Sequence, residues 1–223
     1  MKRQLFGVIG LGRFGEAIST RLAELGHDVI GVDSSEDRVR ELADAVSQTV
    51  QLDATDGKAL RAAGVADVDV AVVSIGEDIE SSVLVVMLLH ELGVRSVVAK
   101  AVTPLHGRIL ERLGVSRVIF PERDMALRVA QSLVMPNVLD YVELSQDFSF
   151  VEVPAPEPFI GHTLRQLELR PKYGLTLIAI KRRIDGKETT NVSPAAEDVI
   201  DRGDVLVLLG SNAKLSNFGE LVG

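Results

Sequence analysis

The 223-residue sequence has no cysteine and no tryptophan, and its aromatic content is only 4%. Without cysteine there can be no disulfide framework, no thiolate nucleophile and no thiolate-bound metal, a composition compatible with a reducing compartment such as the cytoplasm. Few aromatics argue against a surface that stacks nucleic-acid bases. Positive charge is short as well. Lys and Arg number 24 against 32 Asp and Glu, a formal net charge of -8, which disfavours nucleic acid and anionic lipid as general partners. Apolar runs of membrane length are also missing: "SSVLVVMLLHELG" is too short and is interrupted by His90 and Glu91. The apolar N-terminal stretch turns directly into glycines and offers no small-residue cleavage site for a signal peptide. What remains is a hydrophobic fraction of 46%, ordinary for a globular protein, in a chain long enough for two domains.

From residue 5 to about 120, short Val- and Ile-rich runs alternate with segments of helical period, the pattern of a parallel sheet with helices on its faces. Strands are predicted at "LFGVIG", "DVIGVD", "TVQLD", "VAVVSI", "VVAKA" and "RVIFP". Phe14, Ala17, Ile18, Leu22 and Leu25 form one apolar stripe that Gly26 terminates; Gly64, Gly93 and Gly114 close later helices, and Thr103 with Pro104 opens another. This is an α/β, Rossmann-like doubly wound parallel sheet. After about residue 140 the alternation stops. Strands at "FSFVEVP", "LTLIAIKRR", "ETTNVS" and "DVLVLLG", joined by short helical pieces and a "DGK" turn, predict a small α+β module. Pro136 and Asn137 place a hinge near 136–146, dividing the chain into domains at 1–138 and 139–223. Two helices, one at Ser82–Leu92 and one from Met125 to Leu139, are apolar on more faces than a sheet covers, which predicts contact with the C-terminal domain or with a second copy.

The segment "GVIGLGRFGEAI" carries Gly10, Gly12 and Gly15 between the first strand and the first helix. Such a loop turns tightly at the first glycine, lets phosphate approach at the second and packs helix on sheet at the third, aiming helix N-terminal amides at the phosphates. Asp33 ends the second strand, where a carboxylate accepts hydrogen bonds from ribose hydroxyls. Asp53 is placed either at an adenine amino group, with Ala54 and Thr55 shaping the pocket, or as the cap of the helix at "DGKALRAAG". Ser74, Ile75 and Gly76 leave the fourth strand at the topological switch point and line an adenosine or form a plain turn. Arg13 is unusual inside such a loop; it reaches a terminal phosphate of its own or a neighbouring subunit, or is a solvated helix residue. Lys100, closing the fifth strand, is a phosphate or ribose contact or a surface charge.

The stretches "VIGLGRFG", "GHDVIGVD", "ATD", "VSIGE", "VVAKA", "PERDMALRVAQSL", "NVLDYVELS" and "RPKYGLTLIAIKRR" together span nearly the whole chain. In them the sequence resembles the cytosolic regulatory subunits of bacterial Ktr and Trk potassium-uptake systems, the Ktr type more closely. These carry an RCK (regulator of potassium conductance) N-terminal domain and a smaller RCK C-terminal domain. The resemblance implies a homo-oligomer whose N-terminal domains pair and assemble as a ring of eight. That ring docks under a membrane potassium channel at the inner face of the cell membrane. It also implies ATP or ADP, with NAD or NADH in relatives, on the glycine loop, the bound nucleotide controlling gating. By position, Gly10, Gly12, Arg13, Phe14 and Gly15 would then hold phosphates, Asp33 the ribose, and Asp53, Ala54, Ser74 and Gly76 the adenosine. Glu122 would stand near the γ-phosphate and hold Mg or another divalent cation between subunits; the residues alone prefer a carboxylate near a helix N-cap, favoured by the helix dipole.

The rival expectation is an NAD-dependent dehydrogenase or an NAD(H)-sensing regulator. A dehydrogenase needs a proton-moving group beside the nicotinamide, and none of His27, His90, His106 and His162 ends a strand. In the C-terminal module, "LRQLELRPKYG" sets Arg170 and Tyr173 beside Leu164, Leu167 and Leu169. Arg170 is either a solvated residue next to core leucines or one of a symmetric pair that meets the phosphates of cyclic di-AMP, which paired C-terminal domains bind in relatives.

Overall fold

The structure, a computed structural model, describes residues 2–134, 138–184 and 186–221. The helix break expected at Pro136 and Asn137 lies outside the described residues. Along the chain come β1 (Leu5–Ile9), α1 (Arg13–Glu24), β2 (Asp28–Asp33), α2 (Glu36–Leu42), β3 (Gln48–Gln51), α3 (Gly57–Ala62), β4 (Val70–Val73) and α4 (Ile79–Glu91). Then follow β5 (Val97–Lys100), α5 (Pro104–Arg112), β6 (Arg117–Ile119) and α6 (Pro121–Val134). The remainder holds β7 (Asp140–Glu143), β8 (Phe148–Pro154), α7 (Leu164–Leu167), α8 (Leu169–Tyr173), β9 (Thr176–Ile184), β10 (Lys187–Val192), β11 (Val205–Ser211) and α9 (Asn212–Leu221). Two compact units result, Met1–Glu122 and Arg123–Gly223.

The first unit is the predicted doubly wound fold. Its six strands are all parallel in the order β3-β2-β1-β4-β5-β6. Successive residues of the central strands point to opposite faces, so Val8, Val29 and Val72 join Leu11 and Leu42 on one side. Ile9, Val32 and Val73 meet Leu60, Val85, Leu89 and Leu110 on the other. Both faces are therefore dry, which is why these strands read as continuous apolar runs rather than alternating ones. Helix starts follow local chemistry: Thr103 accepts from the His106 amide and Pro104 takes the first helical position of α5. Gly26, Gly64, Gly93 and Gly114, all at positive φ, end the helices they were expected to end.

The second unit is a five-stranded antiparallel sheet, β10-β9-β11-β8-β7, with α7, α8 and α9 supplying Leu167, Leu169, Leu215 and Phe218 to its core. Alternation decides the buried face: Val151 and Val153 on β8 and Leu206 and Leu208 on β11 point inward. One expectation fails here. The helix expected to run to Leu139 is helical only to Val134 among the described residues, and Asp140–Glu143 pair with β8 as the edge strand β7. Tyr141, opposite Val151, is the reason. As a strand residue it is 2% exposed, and its hydroxyl accepts a 2.6 Å hydrogen bond from Ser149.

Candidate functional site

The carboxyl ends of β1, β2, β4 and β5 bring together nearly every residue singled out in the first half of the sequence, at the point where strand order reverses between β1 and β4. Gly10 leaves β1 with φ +93°, a conformation that L side chains rarely adopt, and its amide donates to the Val32 carbonyl at 2.8 Å. Leu11 is buried and lies against Gly31 of β2, seating the loop on the sheet. Gly12 is the N-cap of α1 and contributes no side-chain cap, so the first amides of the helix keep their donor capacity for a ligand. A methyl group on Gly15 would collide with the Gly10 carbonyl oxygen, which is the close helix–strand packing expected of the third glycine.

Asp33 does more than face the cleft. Its side chain is buried, its Oδ2 accepts from the Leu11 amide at 2.6 Å, and its Oδ1 accepts from the Ser35 amide at 2.8 Å. The carboxylate thus ties the glycine loop to the start of α2. Ser74 has a similar double position: its hydroxyl donates to the Gly10 carbonyl at 2.5 Å, and its amide donates to that of Ile9 at 2.8 Å. Sequence reading missed Arg38 in α2, whose Nη1 stands 3.4 Å from Asp33 Oδ2. Its signal was an arginine in the first helical turn after the strand-ending carboxylate.

Arg13 opens α1 with an exposed side chain, while Phe14 is half-buried behind it. Lys100, largely covered, reaches from the end of β5 to Glu122 at 2.5 Å and packs beneath Gly76: a Cβ there would lie 3.3 Å from its Nζ. The hydrogen bond from Lys100 holds the Glu122 carboxyl below the usual carboxylate range, with the charge of Arg13 adding in the same direction. Glu122 therefore already has a cation, an ammonium, and among the described residues no cluster of three or more His, Asp or Glu is arranged to hold a metal. Asp53 is exposed and fastens its own turn, accepting from the Thr55 amide at 2.9 Å and hydroxyl at 2.7 Å, which lowers its pKa. It does not cap α3; Asp56 does, accepting from the amides of Lys58 and Ala59. An aspartate three residues closer to the helix has the shorter reach to those amides. Ala54 beside it is partly buried against the core.

In the second unit Arg170 is exposed on α8, while Leu167 and Leu169 are buried in the core and Leu164 and Tyr173 pack against it. Leu167 and Leu169 are therefore core residues, with Leu164 and Tyr173 packed at the edge of that core. None of the described helices is long and apolar enough to cross a membrane.

Residues 6–121 match the TrkA-N domain family and residues 148–223 the TrkA-C domain family. Over 222 residues the chain is 43% identical to the Ktr system potassium uptake protein C of Bacillus subtilis (strain 168), covering 100% of this chain and 98% of that protein. Over 218 residues it is 38% identical to the Ktr system potassium uptake protein A of the same organism, covering 98% and 96%. Among solved structures, the GsuK channel bound to NAD shares the fold with a TM-score of 0.63 at 20% identity, over 100% of this chain and 40% of that one.

Proposed function

Because the chain belongs to the family of Ktr and Trk potassium-uptake proteins that join a TrkA-N to a TrkA-C domain, we propose that it is a regulatory subunit that binds ATP or ADP and thereby gates a membrane potassium channel. The observation that carries this reading is the uncapped N-terminus of α1 at Gly12, held beside Asp33 and clamped by Ser74 at the switch point of the sheet. In this reading the amides of Gly12 to Gly15 take the phosphates, Asp33 the ribose, and Asp53, Ala54 and Gly76 border the adenosine. Arg13 meets the terminal phosphate. Lys100 exchanges Glu122 for a phosphate or ribose contact, which frees the Glu122 carboxylate for Mg or another divalent cation between subunits. The subunits pair through their apolar helices, assemble as an octameric ring and sit at the inner face of the membrane through the channel. The chain catalyses no reaction of its own.

NAD or NADH is the alternative ligand, favoured by the NAD-bound GsuK channel of the same fold. Calorimetric titration of ATP, ADP, NAD and NADH, with mass determination of each complex, separates the two. Tight ATP and ADP binding to an oligomer without turnover supports the regulatory reading; steady hydride transfer to a hydroxy or keto acid sinks it. Cyclic di-AMP is the proposed second ligand, one molecule per pair of C-terminal domains between two Arg170 side chains. Arg170→Ala then removes its binding and leaves ATP binding untouched.

A further inference from the structure

A carboxylate has about four acceptor positions, and the structure fills three of those of Asp33: the Ser35 amide at 2.8 Å on Oδ1, and the Leu11 amide at 2.6 Å with Arg38 Nη1 at 3.4 Å on Oδ2. The two amides belong to backbone just beyond the ends of β1 and β2. Arg38 is the exchangeable donor, at the longest of the three distances and on a side chain 49% exposed. With Arg38 in place one acceptor is left, enough for a single ribose hydroxyl; with Arg38 withdrawn, one is open on each oxygen. The guanidinium also overlooks the phosphate loop, since a Cβ built on Gly12 would lie 3.9 Å from Arg38 Nη1. A carboxylate at this position ordinarily excludes a ribose 2′-phosphate, and a nearby arginine ordinarily admits one. Here the two are joined in one ion pair.

We propose that Arg38 sets the tolerance of the site for the substituent at the ribose 2′ position. A ribose with free hydroxyls displaces the guanidinium from Asp33, whereas a 2′-phosphate is held by that guanidinium and shielded by it from the carboxylate. The proposal rests on the nucleotide reading of the glycine loop. Its test is displacement of a fluorescent ATP analogue from the full chain by 5′-AMP and by adenosine 2′,5′-bisphosphate, which differ only in the 2′-phosphate. The wild-type protein is expected to bind the two within about tenfold of each other. Arg38→Ala and Arg38→Gln are expected to widen that ratio about ten- to a hundredfold, the worth of a charge-assisted hydrogen bond, by weakening the bisphosphate and leaving 5′-AMP within a few-fold. Arg38→Lys, which keeps the charge, retains most of the tolerance. An unchanged ratio in the Ala and Gln variants, with the ATP analogue still bound, overturns the role of Arg38 alone. No binding of the ATP analogue to the wild-type protein overturns the nucleotide reading and this inference together.

Discussion

The Ser74 hydroxyl donates a 2.5 Å hydrogen bond to the carbonyl oxygen of Gly10, so the loop after β4 grips the loop after β1 across the reversal of strand order. Gly15 packs against the same carbonyl, and a Cβ on it would also come within 2.7 Å of the Ser74 oxygen. Gly15→Ala must therefore push α1 away from β1. The expected cost is about 1–3 kcal/mol, the scale of overpacking, together with loss of ATP binding. Ser74→Ala, which only removes a hydrogen bond, is expected to cost about 0.5–1.5 kcal/mol and to keep the loop in place. Urea unfolding and calorimetry on both variants measure this; a Gly15→Ala protein that binds ATP normally contradicts the packing argument.

Asp33 supports a second prediction with two separable parts. Asp33→Ala strips acceptors from the buried amide of Leu11 and from that of Ser35, so stability falls by about 1–3 kcal/mol even without nucleotide, the cost of unsatisfied groups. Nucleotide affinity falls by a further ~1.5–3 kcal/mol, the scale of a hydrogen bond to a charged group. If thermal unfolding of the free protein is unchanged, the anchoring role is wrong even when affinity drops.

Most of the first unit was legible because its signals are local and agree with one another: Asp28–Asp33 is the strand that "DVIGVD" announces, and Gly26 ends α1 where the apolar stripe ends. The failures are of a different kind. Asp140–Glu143 is a strand because pairing with β8 buries Tyr141, a contact set by residues eight and more positions away that no periodicity over 125–144 contains. Arg38 was passed over because only the fold brings a helix residue back to the carboxylate before it. Asp56, which the sequence reading passed over, caps α3 in place of Asp53, because only the backbone path decides which side chain reaches the Lys58 amide.

His106 gives a pH prediction. The ring lies on α5, is 1% exposed, and neither of its nitrogens has a hydrogen-bond partner among the described residues. The elements against which α5 packs bring Glu80, His90 and Glu91 on α4 and Arg117 on β6, and none of these side chains is hydrogen-bonded to the ring. Burial lowers the His106 pKa in the folded protein, so in acid the unfolded chain binds a proton that the folded one refuses. The contribution to stability is complete above the unfolded value of about 6.5, declines as pH falls through it, and levels off below the folded value. His106→Leu should remove this part of the acid destabilisation in urea unfolding between pH 7.5 and pH 5. Parallel pH curves for the wild-type and His106→Leu proteins would rule the residue out.

The last prediction concerns α6. Met125, Val129 and Leu133 recur every four residues on one side of this helix, 54%, 47% and 80% exposed in the single chain, with Leu127 on another side at 59%. Burying one such side chain is worth about 1.5–3 kcal/mol, so a helix that leaves this many exposed forgoes a large part of what its residues can contribute, which a second copy of the chain packed on it would recover. In a two-fold pairing the same stripe serves both subunits, and one substitution therefore acts twice. Leu133→Glu should then place two carboxylates in the contact and shift the protein to smaller species, although in a lone chain the same change at so exposed a position is worth within about 0.5 kcal/mol. Gel filtration with light scattering at micromolar concentration reads the first effect and urea unfolding the second. A wild-type protein that is monomeric there overturns the pairing, and an oligomeric Leu133→Glu protein with the wild-type mass places the pairing surface somewhere other than α6.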